Sequence, residues 1–452
     1  MTPASPPPPG RDLGRQRWWA AYALLPSGVA RDVTFEVAGG RFTAVSAQSL
    51  PGDAQVLPGV VLPGFANAHS HAFHRALRGR THEGGGTFWT WRERMYAVAA
   101  QLDPDSYRAL ATATYAEMAL AGITTVGEFH YLHHAPGGAA YDDPNAMGEA
   151  LRQAAADVGI RLTLLDTCYV AGGLDATGHS PLDKTQLRFG DGDADRWAER
   201  VAGLADSDGM RVGAAIHSVR SVPRGQLSAV TRAAAGRSLH VHLSEQPAEN
   251  EACQAFYDMT PTELLDIEGV LGPRTTVVHA THLTNTDIAR LGSTHTTVCL
   301  CPTTERDLAD GIGPARMLRD AGSRLSLGSD QHAVVDLFEE TRALEMHERL
   351  DSLQRGRFRP DELLSAATRH DSVGWEDAGR LDVGARADLV AVRLDSPRTA
   401  GSTPGQVLMS ATAADVDTVV VDGRTVVAEG QHLLGDVGLL LQNAIGPLWE
   451  SS

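Results

Sequence analysis

Two histidines that stand one residue apart, His69 and His71, are the residues of this chain with the clearest capacity for chemistry. The apolar run from Val60 to Leu62 predicts a strand that leads into them, and residues i and i+2 of a strand point to the same side. Two neutral imidazoles that face one point can bind a divalent metal ion. An isolated His-x-His pair can equally be two exposed loop residues, so ligands elsewhere in the chain must decide.

Further polar residues stand at the ends of other predicted strands. A single such residue is more often a hydrogen-bonded core histidine or a solvated carboxylate, but a whole set at one edge indicates a site. The set comprises His217, Arg220, His242, Glu245, His279 and Asp330.

These residue types predict hydrolysis assisted by a metal ion. Three imidazoles and one carboxylate suit Zn²⁺ with one position left for water, and the same donors tolerate Fe²⁺ or Mn²⁺. The ion lowers the pKa of that water toward about 7. The predicted metal ligands are His69, His71, His242 and Asp330.

Three residues are predicted to carry out proton transfer and charge stabilisation. Asp330 can bind the metal and also accept a proton from the water. Glu245, three residues beyond His242, can pass a proton to a leaving nitrogen. His279 can stabilise the tetrahedral centre electrostatically.

Eight short apolar strands alternate with Ala-rich helical stretches in the middle of the chain. This alternation predicts a (β/α)₈ barrel, whose active site lies at the carboxyl ends of the strands. A doubly wound open sheet is the alternative, but no Gly-x-Gly-x-x-Gly or Walker motif supports it. The predicted strands are the one before His69 and residues 123–128, 161–165, 212–217, 239–243, 275–279, 296–300 and 325–327.

Both ends of the chain carry short alternating strands joined by tight turns. Gly39-Gly40 and Asp422-Gly423 each predict a two-residue hairpin. We therefore expect residues 16–61 and 376–440 to form one small β-sandwich, with the barrel of residues 62–375 inserted between them. The Pro-rich residues 1–15 are predicted to be a disordered tail, and residues 441–452 a C-terminal tail.

The composition is typical of an ordinary globular protein. The chain has 452 residues, is 42% hydrophobic and carries a formal net charge of −17, which argues against binding to nucleic acid or an anionic membrane. No stretch approaches the roughly 18 apolar residues of a membrane span. The four cysteines are scattered without a Cys-x-x-Cys pair, and Cys299 and Cys301, which alternate in an apolar strand-like run, are predicted to be buried thiols rather than a disulfide or zinc knuckle. We expect a cytoplasmic protein.

The chain resembles the amidohydrolase superfamily over almost its whole length beyond the Pro-rich tail. Dinuclear members bridge two metals with a carboxylated lysine at strand four, where this chain has His217. Its only lysine, Lys184, stands in a Gly/Asp-rich loop, so the resemblance implies one metal ion. The matching segments are Leu62-Pro-Gly-Phe through His71, His242-x-x-Glu245, His279, Ser329-Asp330 and Ala387-Asp-Leu-Val.

Within the superfamily the chain is most similar to the formimidoylglutamate deiminase family. This resemblance implies zinc-dependent hydrolysis of N-formimino-L-glutamate to N-formyl-L-glutamate and ammonia in histidine degradation, by a homodimer. The matching segments are His69-Ser-His-Ala-Phe-His-Arg-Ala, Phe88-Trp-Thr-Trp-Arg92-Glu, Glu128-Phe-His-Tyr131-Leu-His-His, His217-Ser-Val-Arg220 and Cys301-Pro-Thr-Thr-Glu-Arg-Asp-Leu-Ala-Asp-Gly.

The resemblance also implies a set of substrate-binding residues. Guanidinium groups bind carboxylates bidentately, which suits a glutamate derivative. Several family members carry Gln where this chain has His74, which leaves N-formimino-L-aspartate open as a substrate. The implied substrate-binding residues are His74, Arg92, Tyr131, His217 and Arg220.

Two other functions stay open at this point. A deaminase of a guanine-like or pterin-like base would use the same histidines, but its pocket needs stacking surfaces rather than two arginines. A metal-free scaffold on the same barrel would have lost metal ligands, all of which are present here.

Overall fold

The structure, a computed structural model, describes residues 15–83, 86 and 88–450. The predicted Pro-rich tail lies outside the described residues except for Arg15, as do the last two residues of the predicted C-terminal tail.

Strands from both ends of the chain form one eight-stranded sheet with the order β18-β17-β16-β15-β4-β1-β2-β3. It encloses its own apolar cluster, which includes Trp18, Phe35 and Phe42. Both predicted hairpins are present, and all four turn residues have positive φ, as a two-residue type I′ turn requires. The strands are β1 (Gln16–Leu25), β2 (Gly28–Ala38), β3 (Arg41–Ser46), β4 (Gln55–Pro63), β15 (Leu389–Val392), β16 (Val416–Val421), β17 (Arg424–Ala428) and β18 (Gln431–His432).

Eight parallel strands form the central barrel in sequence order, which confirms the predicted (β/α)₈ fold. Their residues are buried almost without exception. The strands are β5 (Phe65–Ser70), β6 (Ile123–His130), β7 (Arg161–Cys168), β10 (Met210–Ile216), β11 (Leu239–Leu243), β12 (Thr275–His279), β13 (Thr297–Leu300) and β14 (Arg324–Leu327); a small hairpin of β8 (Gly173–Asp175) and β9 (Gly178–Ser180) follows β7.

Helices connect the barrel strands and continue at the C-terminal end of the chain. Among the described helices, none is long and apolar enough to cross a membrane. The helices are α1 (Phe88–Gln101), α2 (Pro104–Leu120), α3 (Ala146–Val158), α4 (Ala194–Val201), α5 (Arg224–Ala233), α6 (Pro247–Tyr257), α7 (Pro261–Ile267), α8 (Asn285–Ser293), α9 (Pro302–Asp307), α10 (Ala315–Ala321), α11 (Leu337–Ser352), α12 (Pro360–Ala367), α13 (Val437–Ile445) and α14 (Pro447–Glu450).

The interpretation of Val60 to Leu62 as the first barrel strand is wrong. These residues lie in β4, where they pair with β15 of the terminal sheet, and the barrel starts at Phe65 in β5. The chain crosses from one sheet to the other at Gly64, where a Cβ atom would lie 2.4 Å from the Thr124 hydroxyl. Val60, Val61 and Leu62 are as fully buried in the terminal sheet as the residues of a barrel strand are in the barrel. Their apolar composition therefore does not distinguish the two positions.

Candidate active site

The barrel closes where the first strand meets the residues that follow the last strand. Ser70 and Asp330 form a parallel bridge between β5 and the segment after β14. The backbone amide of Asp330 donates to the His69 carbonyl at 3.0 Å, and the amide of His71 donates to the Asp330 carbonyl at 3.2 Å. Closure of the barrel thus places three of the four predicted metal ligands next to one another.

The predicted metal residues fall into two groups of neighbouring ligand atoms that share His69: His69 with His71 and Asp330, and His69 with His242 and His279. Nε2 of His69 lies 3.1 Å from Nε2 of His242, and Oδ1 of Asp330 lies 3.4 Å from Nε2 of both His69 and His71. Ligand atoms that surround zinc tetrahedrally at about 2.1 Å lie roughly 3.4 Å from one another. These three distances are compatible with neighbouring ligands of a divalent ion beside His69.

Backbone carbonyls orient two of the imidazoles toward this point. Nδ1 of His71 donates to the Phe129 carbonyl and Nδ1 of His242 donates to the His217 carbonyl, each at 2.9 Å. Their Nε2 atoms therefore carry lone pairs, as metal ligands must.

The protonation state of these histidines fits the same role. Burial, followed by the neighbouring imidazoles, lowers the pKa of His69 and His242 well below the usual range, and that of His71 to about 3. The imidazoles are consequently neutral at neutral pH. Three neutral imidazoles and a carboxylate are ordinary ligands of a divalent ion, so the chemistry of these donors fits a metal.

The three residues predicted to act in catalysis lie beside this point. Nε2 of His279 is 3.8 Å from Oε1 of Glu245 and 3.8 Å from Oδ2 of Asp330, and all three side chains are buried. Burial alone would lower the pKa of His279, but the carboxylates of Glu245, Glu305 and Asp330 outweigh it and raise the pKa to about 10. The group can hold and move a proton beside a developing charge.

A cavity of about 210 Å³ opens above these residues at the carboxyl ends of the strands. Ten of the eleven site residues predicted from the sequence line it, and His69 is fully buried against His71 and His242. The residues that line it are His71, His74, Arg92, Tyr131, His217, Arg220, His242, Glu245, His279 and Asp330.

Arg92 enters the cavity from α1, where it contacts a tyrosine that sequence reasoning missed. Its Nε donates to the Tyr96 hydroxyl at 2.7 Å, and its guanidinium carbon lies 5.1 Å from the centre of that ring. The Gln186 side-chain amide donates to the same hydroxyl at 3.0 Å and to the Tyr169 hydroxyl at 3.2 Å. The side of the cavity around Arg92 is therefore a hydrogen-bonded aromatic network.

Arg220 lies on another wall, between two carboxylates. Its Nε is 3.2 Å from Oε2 of Glu249, and its NH2 is 3.5 Å from Oε2 of Glu245. The Arg220 side chain keeps 21% of its area exposed, whereas the Glu249 side chain is fully buried. The guanidinium can thus reach a ligand in the cavity.

Sequence reasoning missed several residues that build this site. Tyr169 follows the end of β7, and its place directly after a predicted strand is the signal that could have found it. Glu305 accepts from the Cys301 amide at 2.8 Å and lies 3.5 Å from Nδ1 of His279. It belongs to the segment of residues 301–311 that carries the family resemblance, but no role was predicted for it. The other missed residues are Trp91, Met95, Tyr96, Gln186, Phe189, Gln246 and Glu249.

His217 directly follows β10, the fourth barrel strand. Lys184 is exposed in the loop between β9 and α4. The imidazole of His217 packs 4.4 Å from the Tyr169 ring and 5.1 Å from that of His242, centre to centre.

The chain is similar to known proteins along most of its length. Residues 60–426 match the family model described as the amidohydrolase family. Formimidoylglutamate deiminase from Pseudomonas aeruginosa is 36% identical, over 92% of this chain and 95% of that protein. The 8-oxoguanine deaminase of the same organism is 32% identical, over 82% of this chain and 83% of that protein.

A solved structure agrees with the fold. The crystal structure of an amidohydrolase from Brucella melitensis superposes with a TM-score of 0.88 at 32% identity, covering 96% of this chain and 99% of the other. The family match, the identity to curated relatives and the shared fold show that this chain belongs to the amidohydrolase family, as a hydrolase of its deaminase type.

Proposed function

We propose that this protein hydrolyses the formimino group of N-formimino-L-glutamate to give N-formyl-L-glutamate and ammonia, a step of histidine degradation. The observation that carries the proposal is that Arg92 and Arg220 line the same cavity as Glu245, His279 and Asp330. A substrate with two carboxylates and a small reactive amidine requires both kinds of group in one pocket. The 36% identity to a formimidoylglutamate deiminase supports the same substrate.

The four ligands support one zinc ion for each chain. Their donor types suit zinc, while Fe²⁺ or Mn²⁺ would be accepted by the same donors. When bound there, such an ion supplies Lewis acidity that lowers the pKa of a water molecule. The ligands are His69, His71, His242 and Asp330.

Glu245 moves the proton in this proposal. Water adds to the formimino carbon, and one of its protons passes through Glu245 to the terminal nitrogen. The second proton, accepted first by Asp330, reaches the same nitrogen as the C–N bond breaks, so that ammonia leaves and the carbon keeps the oxygen. His279, 3.8 Å from Glu245 and from Asp330, stabilises the charge that develops at the tetrahedral carbon. Asp330 accepts a proton from the water and also serves as a ligand.

The remaining predicted residues hold the substrate. Arg220 and Arg92 bind its carboxylates. Tyr131 and His217, whose ring centres are 5.6 Å apart, line the pocket between the reactive end and Arg220. His74 hydrogen-bonds to the Tyr131 hydroxyl and so supports this part of the pocket.

Steady-state ammonia release tests the proposal directly. Wild-type protein loaded with zinc is assayed with N-formimino-L-glutamate, N-formimino-L-aspartate, guanine and 8-oxoguanine at equal concentrations. We expect the glutamate derivative to have the highest kcat/KM, by at least about tenfold over the aspartate derivative, because one methylene changes the reach to an arginine. A higher kcat/KM for N-formimino-L-aspartate would identify that compound as the substrate of the same reaction.

A base deaminase is the second candidate, because aromatic rings line the cavity. Such rings could stack on a purine, and the 8-oxoguanine deaminase relative is 32% identical. Against this candidate, Tyr131, Tyr169 and Phe189 pack against one another with centres 5.1 to 6.4 Å apart. Turnover of 8-oxoguanine without turnover of the formimino substrates would establish it. The rings concerned are Trp91, Tyr96, Tyr131, Tyr169 and Phe189.

The metal content and the oligomeric state are tested separately. A metal-free scaffold would contain no stoichiometric metal after purification in zinc, whereas we expect about one ion per chain. Size-exclusion chromatography with light scattering measures the mass of the protein in solution. A mass equal to that of one chain, 48.0 kDa, would contradict the homodimer.

A further inference from the structure

Glu249 is a buried carboxylate in the wall of the cavity that the proposed reaction does not use. It lies on α6, seven residues after His242, and its side chain is fully buried. One oxygen, Oε1, accepts from the Ser244 amide at 3.2 Å. The other, Oε2, lies 3.2 Å from Nε of Arg220.

The contact with Ser244 supports a strained turn. Ser244 has φ of 49°, in the left-handed region that non-glycine residues rarely adopt, and it stands between His242 and Glu245. An acceptor on its amide helps to hold that conformation. Glu249 thus contacts the backbone that presents both a metal ligand and the proton-transfer residue.

The contact with Arg220 is an ion pair of 3.2 Å without the geometry of a hydrogen bond, so Glu249 holds the guanidinium by charge. One terminal nitrogen, NH2, also lies 3.5 Å from Oε2 of Glu245. A guanidinium has five N–H donors, and 21% of the Arg220 side chain remains exposed for a carboxylate in the cavity. Burial raises the pKa of Glu249, and the charge of Arg220 opposes that shift, as expected for a paired buried carboxylate.

Glu249 is poorly placed to react with a substrate itself. Its Oε1 accepts a hydrogen bond from Ser244, its Oε2 is neutralised by the charge of Arg220, and its side chain has no exposed area. Its effect on a ligand must therefore pass through Arg220 or through the Ser244 turn.

We propose that Glu249 is a positioning residue that sets the affinity of the pocket for a substrate carboxylate by orienting Arg220. This role rests on the proposed function, in which Arg220 binds that carboxylate. It assigns the selectivity for acidic formimino compounds to a pair, Arg220 and Glu249, rather than to the arginine alone.

The variant Glu249→Gln separates charge from shape. The amide oxygen can still accept from Ser244, while the negative charge beside Arg220 is lost. We expect KM for N-formimino-L-glutamate to rise by at least about tenfold and kcat to stay within about threefold, because ground-state and transition-state binding of the carboxylate weaken together. Glu251→Gln, an exposed position on the same helix, serves as the matched control and should equal wild type.

Binding of the product N-formyl-L-glutamate, measured by calorimetry on zinc-loaded protein, provides a second readout. The proposal predicts Kd at least about tenfold higher for Glu249→Gln than for wild type and Glu251→Gln. Thermal unfolding and metal content are measured on the same samples, and both should match the control. If Glu249→Gln does not fold, Glu249→Asp replaces it, since the shorter carboxylate cannot reach both partners.

The possible outcomes distinguish this proposal from the proposed function. Wild-type turnover and product binding combined with unchanged Kd and KM in Glu249→Gln would overturn the role of Glu249 and leave the function standing. A fall in kcat with unchanged KM would also overturn it, because Glu249 would then act only through the Ser244 turn. Wild-type protein that neither binds N-formyl-L-glutamate nor hydrolyses the formimino substrate would overturn both.

Discussion

Nε2 of His74 lies 2.8 Å from the hydroxyl oxygen of Tyr131, and both side chains line the cavity. The imidazole of His74 is also held by rings on either side, 4.5 Å from His71 and 5.1 Å from Trp91, centre to centre. His74 therefore fixes the orientation of Tyr131. The identity of residue 74 can influence substrate binding through this tyrosine, even without a contact of its own.

A double-mutant cycle tests this relationship. We expect His74→Ala and Tyr131→Phe each to lower kcat/KM for N-formimino-L-glutamate by about tenfold, and the double variant to lose clearly less than the product of both effects. The expected coupling is about 1 kcal/mol, typical of a buried hydrogen bond. His74→Gln, which can still bond to Tyr131, should stay within about threefold of wild type. Strictly additive losses would show that the two residues act independently.

The barrel could be predicted from the sequence because its strands are short, apolar and regularly spaced between helices. The error at Val60 to Leu62 has a physical cause: a strand buried on both faces has the same composition in either sheet. In the structure this strand pairs with β15, and the chain crosses to the barrel at Gly64, where a Cβ atom would lie 2.4 Å from the Thr124 hydroxyl. That close approach involves residues 60 positions apart and leaves no local signal.

The candidate site could be predicted as far as its residues follow strand ends. His242 and Glu245 were found because they continue a strand, whereas Glu249 belongs to the next helix and acts through Arg220. Its role depends on a tertiary contact between two connecting segments. Spacing therefore predicts candidate residues that follow strand ends and gives no signal for a residue such as Glu249, which contacts them from a helix.

Glu245→Gln should abolish turnover while leaving the metal bound. The amide cannot carry a proton to the leaving nitrogen, so kcat should fall by about 10² to 10⁴. Metal analysis of the same sample should still give about one ion per chain, because Glu245 is not among the ligands. Activity equal to that of wild type would exclude Glu245 as the proton carrier.

Arg220→Met should act mainly on substrate binding. The variant keeps the apolar stem and removes the charge, which leaves Glu249 buried without its partner. We expect KM to rise by about 10- to 100-fold, corresponding to loss of a charged hydrogen bond of about 1.5 to 3 kcal/mol. Unchanged KM and kcat would remove Arg220 from the site. Arg232→Met, on the exposed face of α5, is the control.

Removal of the metal should affect both activity and stability. Ligand binding to the native state stabilises it by about 4 kcal/mol at a thousandfold excess over Kd, so dialysis against a chelator should lower Tm by at least about 5 °C. Added zinc should restore Tm and ammonia release together. Lys184→Ala, which alters the only lysine, should bind the same amount of metal as wild type. Loss of metal in that variant would contradict a site built without lysine.

His370 provides a test of acid stability far from the reaction. It is buried where the chain crosses between the two sheets, with Nε2 donating to the Gly64 carbonyl at 2.9 Å and Nδ1 3.0 Å from the Thr125 hydroxyl. Burial, followed by the charge of Arg161, lowers the pKa of His370 to about 4. The native state therefore holds a neutral ring where the unfolded chain, with a pKa of about 6.5, takes up a proton.

Acidification lowers the stability contributed by His370, because its pKa is lower in the native state than in the unfolded chain. Between about pH 6.5 and pH 4 the unfolded state binds the additional proton, so the stability contributed by His370 is complete above this range and falls by about 1.4 kcal/mol per pH unit on acidification. His370→Gln removes this term. We expect His370→Gln to be less stable than wild type at about pH 7.5. The difference in free energy of unfolding between the two proteins should be smaller by about 2 kcal/mol at about pH 5. Urea unfolding of both proteins at equal metal concentration measures the gap, and a gap that stays constant would mean that the native state protonates His370 as readily as the unfolded chain does.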